Sequence, residues 1–390
     1  MANNFAKRSF LVILQISLLA HLDSAQLSST YYANTCPTVE TIVKDAVTAK
    51  FQETFNAVGG VVRLLFHDCF VQGCDGSVLI SSTPTNKAER DNDLNLSLNS
   101  DGFDAIVRAK TAVESVCPNL VSCADILVMA TRDMIELAGG PSYSVELGRF
   151  DGLVSSSDNV DNKLPLPTFN LDQLTALFAS NNISQEDMIA LSACHTIGLG
   201  HCNKFKSRLY GSTKDSSLNP SYAAYLADKC PENSTSDDHV FLDPVTPGTF
   251  DKQYFQNLID GTGLFSSDEV LYTDTRSQPL VNLWANSDAS FQQAFVSAIT
   301  NLARVGVKTS LTGVELDVER EPSYLQPQTN PKEDQTERRS ISLALSRKPR
   351  EHRLLLRLSL SSASSFSLEL HPSPHLSASF LLLIPLISDS

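Results

Sequence analysis

Positive charge is what this sequence most conspicuously lacks: 30 lysines and arginines stand against 44 aspartates and glutamates, a formal charge of −14. That balance excludes nucleic acid and an anionic membrane surface as natural partners. Long apolar runs are scarce as well. Beyond the first 25 residues none reaches the roughly 20 residues that a membrane-spanning helix needs, and the closing FLLLIPLI at 380–387 is too short to anchor the chain. No motif recurs at a fixed period, which excludes a solenoid. Strand signals are few and short, leaving little from which to build a sheet.

What is present points to a large, exported, helical protein. Its 390 residues, 42% of them hydrophobic, can bury a substantial core. Lys7 and Arg8 precede the apolar run Phe10 to Ala20, and small residues end at Ser24 and Ala25. This is the layout of a signal peptide over 1–25, cut after Ala25 or, because Asp23 fits that site poorly, after Ala20. Export gives the eight cysteines an oxidising compartment, so most are expected in disulfides. Asn182 and Asn233 begin glycan-acceptor triplets. Helical spacing of apolar residues runs through Thr38–Phe55, Phe103–Val116, Cys123–Leu137 and Leu171–Ala179. AGGP at 138–141 and KLPLP at 163–167 read as loops. After Gly313 the composition shifts to Ser, Pro, Arg and Glu with no packing period. Residues 314–390 are therefore expected to be an unstructured or spuriously encoded extension, or else a cleaved targeting segment.

One stretch resists a purely structural explanation. In VVRLLFHDCFVQGCDGS, Val61 to Ser77, apolar residues occupy every side of a helix predicted over Gly60–Phe70, so Arg63 and His67 are enclosed with it. They lie four apart and share a face, with Phe66 beside them. Such an arginine calls for an acid partner, and such a histidine is either a hydrogen-bonded core residue or a catalyst. A second inward histidine, His195, follows in SQEDMIALSACHTIG. There Ser184 and Asp187 open a helix that Gly198 closes, with Met188, Leu191 and His195 on one face. A neutral imidazole at 195 can hold a metal or haem iron from one side while His67 and Arg63 act on the other, and it then needs a distant carboxylate for its second ring nitrogen. The alternative is a structural zinc held by Cys194, His195, His201 and Cys202.

These residues closely resemble the secreted plant haem peroxidases, the class III family. RLLFHDCFVQGCDGS is similar to that family's distal haem signature and LSACHTIG to its proximal one. VSCADIL, AGGPSYSVELGR and KLPLPT occur in the family's order, and the resemblance covers Gln26 to Gly313. It implies a mainly α fold of two helical halves with very little β structure and one haem b between a distal and a proximal half, over residues 26–313. It also implies roles. His67 would move the peroxide proton, Arg63 would stabilise the charge on the parting oxygen, and Asn95, buried and unglycosylated, would keep His67 basic. His195 would be the axial ligand backed by Asp268, Phe66 would border the haem, and Pro165 would border the channel for reducing substrates.

The same resemblance implies two calcium ions. Asp68, Asp75 and Ser77 with the carbonyls of Val71 and Gly73 would hold the distal one; Thr196, Asp243, Thr246, Thr249 and Asp251 would hold the proximal one. It pairs Cys36 with Cys117, Cys69 with Cys74, and Cys202 with Cys230. The family's partner for the Cys123 position lies near the chain end, and no cysteine follows Cys230 here; loss of such a bridge typically costs about 2 to 5 kcal/mol. Cys194 stands where the family has a small residue, and reads as a buried inert thiol. The implied activity is reduction of hydrogen peroxide with one-electron oxidation of small phenols. Hydrogen peroxide catabolism, the response to oxidative stress and cell-wall phenol metabolism are the processes it would serve. The expected protein is a monomer with no nucleic-acid or membrane partner, destined for the cell wall, with the vacuole as the alternative.

Overall fold

A computed structural model describes residues 27–210, 214–234 and 238–308. The leader expected over 1–25 and the extension expected over 314–390 lie outside the described residues. The described chain is mainly helical, as the spacing of its apolar residues predicts. Its first half holds α1 (Val39–Glu53), α2 (Asn56–Val71), α3 (Ser100–Val116) and α4 (Cys123–Leu137). The remainder holds α5 (Leu171–Ala179), α6 (Gln185–Ser192), α7 (Lys206–Leu209), α8 (Pro220–Lys229), α9 (Gln253–Ile259), α10 (Ser266–Thr273), α11 (Gln278–Asn286) and α12 (Asp288–Leu302). Among the described residues the only sheet joins β1 (Leu199–His201) to β2 (His239–Phe241), antiparallel, with Leu199 opposite Phe241 and His201 opposite His239.

α4 and α5 keep the predicted limits. α3 starts three residues before its apolar pattern because Asn99 caps it, its side chain accepting the Asp101 N–H at 2.7 Å. α2 packs against α1, α3 and α4, which accounts for its burial on nearly every side. α6 differs from expectation. Ser184 caps it as predicted, but it ends at Ser192, and a 3₁₀ turn over Ala193–Thr196 replaces the final turns. His195 therefore does not share an α-helical face with Met188 and Leu191. Its ring and the Thr196 hydroxyl are each held by residues far along the chain, and those contacts outweigh the local preference to continue the helix.

Two features position the site. Gly59 in the first turn of α2 lies against the backbone of Gly198: a methyl group on Gly59 would come within 3.1 Å of the Gly198 Cα. The two chain segments thus touch beside His195, and His67 lies about two turns, roughly 12 Å, farther along α2. The second feature is a buried ion pair. Arg149 Nη1 meets Asp125 Oδ1 at 2.9 Å with both side chains fully enclosed, and Asp125 Oδ2 also accepts from the Tyr32 hydroxyl at 2.8 Å. Arg149 in turn donates to the Ala303 carbonyl from Nε and Nη2, fixing the chain after α12. Asp125→Ala strands that guanidinium, so a loss of about 3 to 5 kcal/mol is expected in urea unfolding at unchanged slope; a loss under about 1 kcal/mol would show that the carbonyls alone suffice.

Candidate active site

On the distal side the geometry begins with an amide. Asn95 is buried, its Nδ2 donates to the Glu89 carbonyl at 2.8 Å, and that bond turns Oδ1 toward His67. Oδ1 lies 2.6 Å from His67 Nδ1, so Nδ1 carries the proton and Nε2 the lone pair. Arg63 Nε donates to Nε2 at 3.2 Å. The acid partner expected for Arg63 is not its neighbour. Its guanidinium donates instead to the Ser97 carbonyl at 2.8 Å, the Ser97 hydroxyl at 3.1 Å and the Leu94 carbonyl at 3.5 Å. Neutral oxygens hold the group in place and leave its positive charge uncancelled. Burial pushes the His67 imidazole down to about 3, helped by the Arg63 charge and opposed by the Asn95 bond. Burial also lowers Arg63 to about 10, which still leaves it charged at neutral pH. Phe66 is half-buried, stacked on Phe70 at 4.2 Å and near Phe178 at 5.7 Å.

On the proximal side His195 Nδ1 lies 2.7 Å from Asp268 Oδ1. The same oxygen accepts from the Tyr254 hydroxyl at 3.1 Å, and Oδ2 accepts from the Phe265 N–H. Three donors fix the carboxylate, and it fixes the ring with Nε2 directed away. The His195 side chain remains 39% accessible, and Phe265 stands edge-on to it at 5.4 Å. An imidazole with one nitrogen committed to a buried carboxylate and the other open is equipped to ligate iron. Pro165 is half-buried on the loop between α4 and α5.

The oxygen ligands expected of calcium also gather. The Thr196 hydroxyl faces Asp243 Oδ2 at 3.2 Å, the Thr249 carbonyl at 3.2 Å and Asp251 Oδ1 at 3.4 Å. The Thr246 hydroxyl faces the same two carboxylate oxygens at 3.3 Å each. Each hydroxyl has one proton, so acceptors outnumber protons in this cage, and burial raises the Asp251 carboxyl above its usual range. β1 and β2 bring the segments carrying Thr196 and Asp243 together.

From the last turn of α2, Asp68 accepts from the N–H groups of Gly76 and Val78 in the loop that follows, and Asp75 accepts from that of Ser77. Val71 ends the helix and Gly73 follows in a left-handed conformation. Burial, then the Asp75 charge, pushes the Asp68 carboxyl well up. Among the described residues no three His, Cys, Asp or Glu side chains are grouped to hold a metal. A cation at either place would therefore need hydroxyl and carbonyl oxygens too, a donor set suited to calcium.

Sulfur chemistry excludes the zinc alternative. Cys202 is bonded to Cys230, while the other bridges are Cys36–Cys117 and Cys69–Cys74. With the Cys202 sulfur consumed by its bridge, the four proposed zinc ligands do not form a set. Burial pushes the Cys194 thiol up to about 12, in keeping with an inert side chain.

Four contributors escaped the sequence: Ser97, Glu89, Tyr254 and Phe265. Ser97 completes the Asn-Leu-Ser triplet begun by Asn95, which reads as a glycan acceptor and conceals its contact with Arg63. Tyr254 and Phe265 carry no local signal, since each acts through Asp268.

The family model described as Peroxidase matches residues 43–287. Peroxidase 51 of Arabidopsis thaliana is 54% identical over 309 residues, 78% of this chain and 94% of that protein. Peroxidase 50 and Peroxidase 73 of the same plant are each 51% identical, over 78% and 77% of this chain and 94% and 93% of their own lengths.

Proposed function

As a member of the peroxidase family, this chain is a haem peroxidase, and we propose that His67, Arg63 and Asn95 form its peroxide-handling side and His195 with Asp268 its iron-holding side. The observation that carries this reading is the tautomer of His67, whose Nδ1 is bonded to Asn95 and whose Nε2 stands unprotonated beside Arg63. Haem, when bound, supplies the oxidising chemistry toward peroxide and donor. The remaining work belongs to side chains. His67 Nε2 takes the proton from one peroxide oxygen and returns it to the other as that oxygen departs. The Arg63 guanidinium, anchored by carbonyls, stabilises the negative charge developing on the departing oxygen. His195 Nε2 would hold the iron, and the Asp268 carboxylate at Nδ1 makes the imidazole a stronger donor.

Small phenols are the proposed electron donors, entering past Pro165. The proposed calcium ions are held by the Thr196–Asp251 cage and by the loop around Asp68, Asp75 and Ser77, where rigid oxygen cages would fix the ends of the segments bearing His195 and His67. Secretion as a monomeric glycoprotein completes the reading, with hydrogen peroxide removal, oxidative-stress response and cell-wall phenol coupling as its processes. Asn182 and Asn233 are exposed, whereas Asn95 is buried. Among the described residues no helix is long and apolar enough to cross a membrane.

The pH profile tests the base assignment. An ordinary imidazole protonates below about 6.5 and loses its lone pair; His67, lowered to about 3, keeps it. The second-order rate with hydrogen peroxide, measured by stopped flow on the haem-loaded protein, is expected to stay level from about pH 8 down to about pH 5 and to fall only nearer His67's own titration. A half-loss near pH 6.5 would mean that the catalytic base is another group.

A further inference from the structure

We propose that Lys308 is a tethered counter-ion for the distal loop and competes with calcium for it. The inference rests on the distal calcium reading given above. α2 ends at Val71 with no basic residue in its last turn, so the negative end of a 16-residue helix points into the loop. Asp68, Asp75 and Glu89 are all buried around that loop. Three acids and a helix C-terminus thus meet there, while cations nearby in the sequence are engaged elsewhere, Lys87 with Asp93 and Arg90 with the Ser81 hydroxyl and the Phe103 ring. The cation arrives from 236 positions along the chain: Lys308 Nζ donates to the Gln72 carbonyl at 3.2 Å and pairs with Asp75 Oδ2 at 3.6 Å. Gln72 lies between Val71 and Gly73, whose carbonyls belong to the proposed calcium set, so the ammonium group is bound to the loop that would receive the ion.

Lys308 is held there by its backbone. Arg149 fixes the Ala303 carbonyl, and the Cys74 N–H donates to the Val305 carbonyl at 2.9 Å. Gly73 and Gly306 then pack backbone to backbone, both with positive φ (100° and 56°) and with no room between them for a side chain on either. This glycine contact delivers Lys308 to the loop. Its ammonium is a weak substitute for a divalent ion, being singly charged and 3.6 Å from one carboxylate oxygen. A calcium ion entering the loop meets that charge as repulsion and has to displace it from Asp75.

Calorimetric titration of calcium into the haem-loaded, chelator-treated protein tests this. Lys308→Met is expected to bind calcium about ten-fold more tightly at one site and unchanged at the other. Lys308→Arg, which keeps the charge, should remain near the parent affinity. Equal calcium affinity in Lys308→Met and the parent, with Asp75→Asn losing one site, overturns the competition while leaving the distal site intact. An Asp75→Asn protein that keeps both sites, or a parent that takes up no calcium, overturns the distal site and the competition together.

Discussion

Replacing His67 with leucine is expected to leave haem bound and to slow the reaction with hydrogen peroxide by about 10²- to 10⁴-fold, the usual contribution of a positioned acid–base group. The substitution removes Nε2, the proposed proton acceptor adjoining the Arg63 guanidinium, from a helix that packs against α1, α3 and α4. Stopped-flow mixing with peroxide gives the rate, and the haem band before mixing gives the occupancy. A His67→Leu protein that reacts at the parent rate would exclude His67 as the base. Asn95→Ala acts through the same ring, leaving Nδ1 without its acceptor.

Replacing His195 with alanine should have the larger effect, because it removes the proposed iron ligand. Protein produced with hemin supplied is expected to emerge colourless after gel filtration. Asp268→Asn should instead retain haem with affinity lowered about 10- to 100-fold, the usual penalty for losing a partner behind a metal ligand. The three donors around Asp268 explain why its effect should be felt: Tyr254, the Phe265 N–H and His195 are all oriented by one carboxylate. A coloured, stable His195→Ala protein would place the iron elsewhere.

How much of this site was legible in the sequence depends on the kind of signal each residue carries. Arg63 and His67 were legible because their spacing on a wholly apolar helix makes buried polarity visible locally. The 3₁₀ turn at His195 was not, because contacts to Asp268 and Asp243, 73 and 47 residues away, decide its backbone. An acid partner for Arg63 was a reasonable expectation from burial, yet the chain satisfies it with carbonyl oxygens at 94 and 97, which have no side-chain signature. Asn95, Asp268 and the calcium ligands rested on family resemblance, since asparagines, acids and threonines are common in turns. Lys308 was invisible for a similar reason. Nothing local marks it, and its contact with Asp75 depends on two distant glycines meeting.

The central claim is that His195 grips the iron while His67 waits on the open side. Hemin titration of two apoproteins, His67→Leu and His195→Ala, followed through the haem band against the parent, tests it most directly. His67→Leu is expected to take up one haem with the parent's affinity, and His195→Ala is expected not to saturate. The reverse order, or equal uptake by both, would contradict the claim.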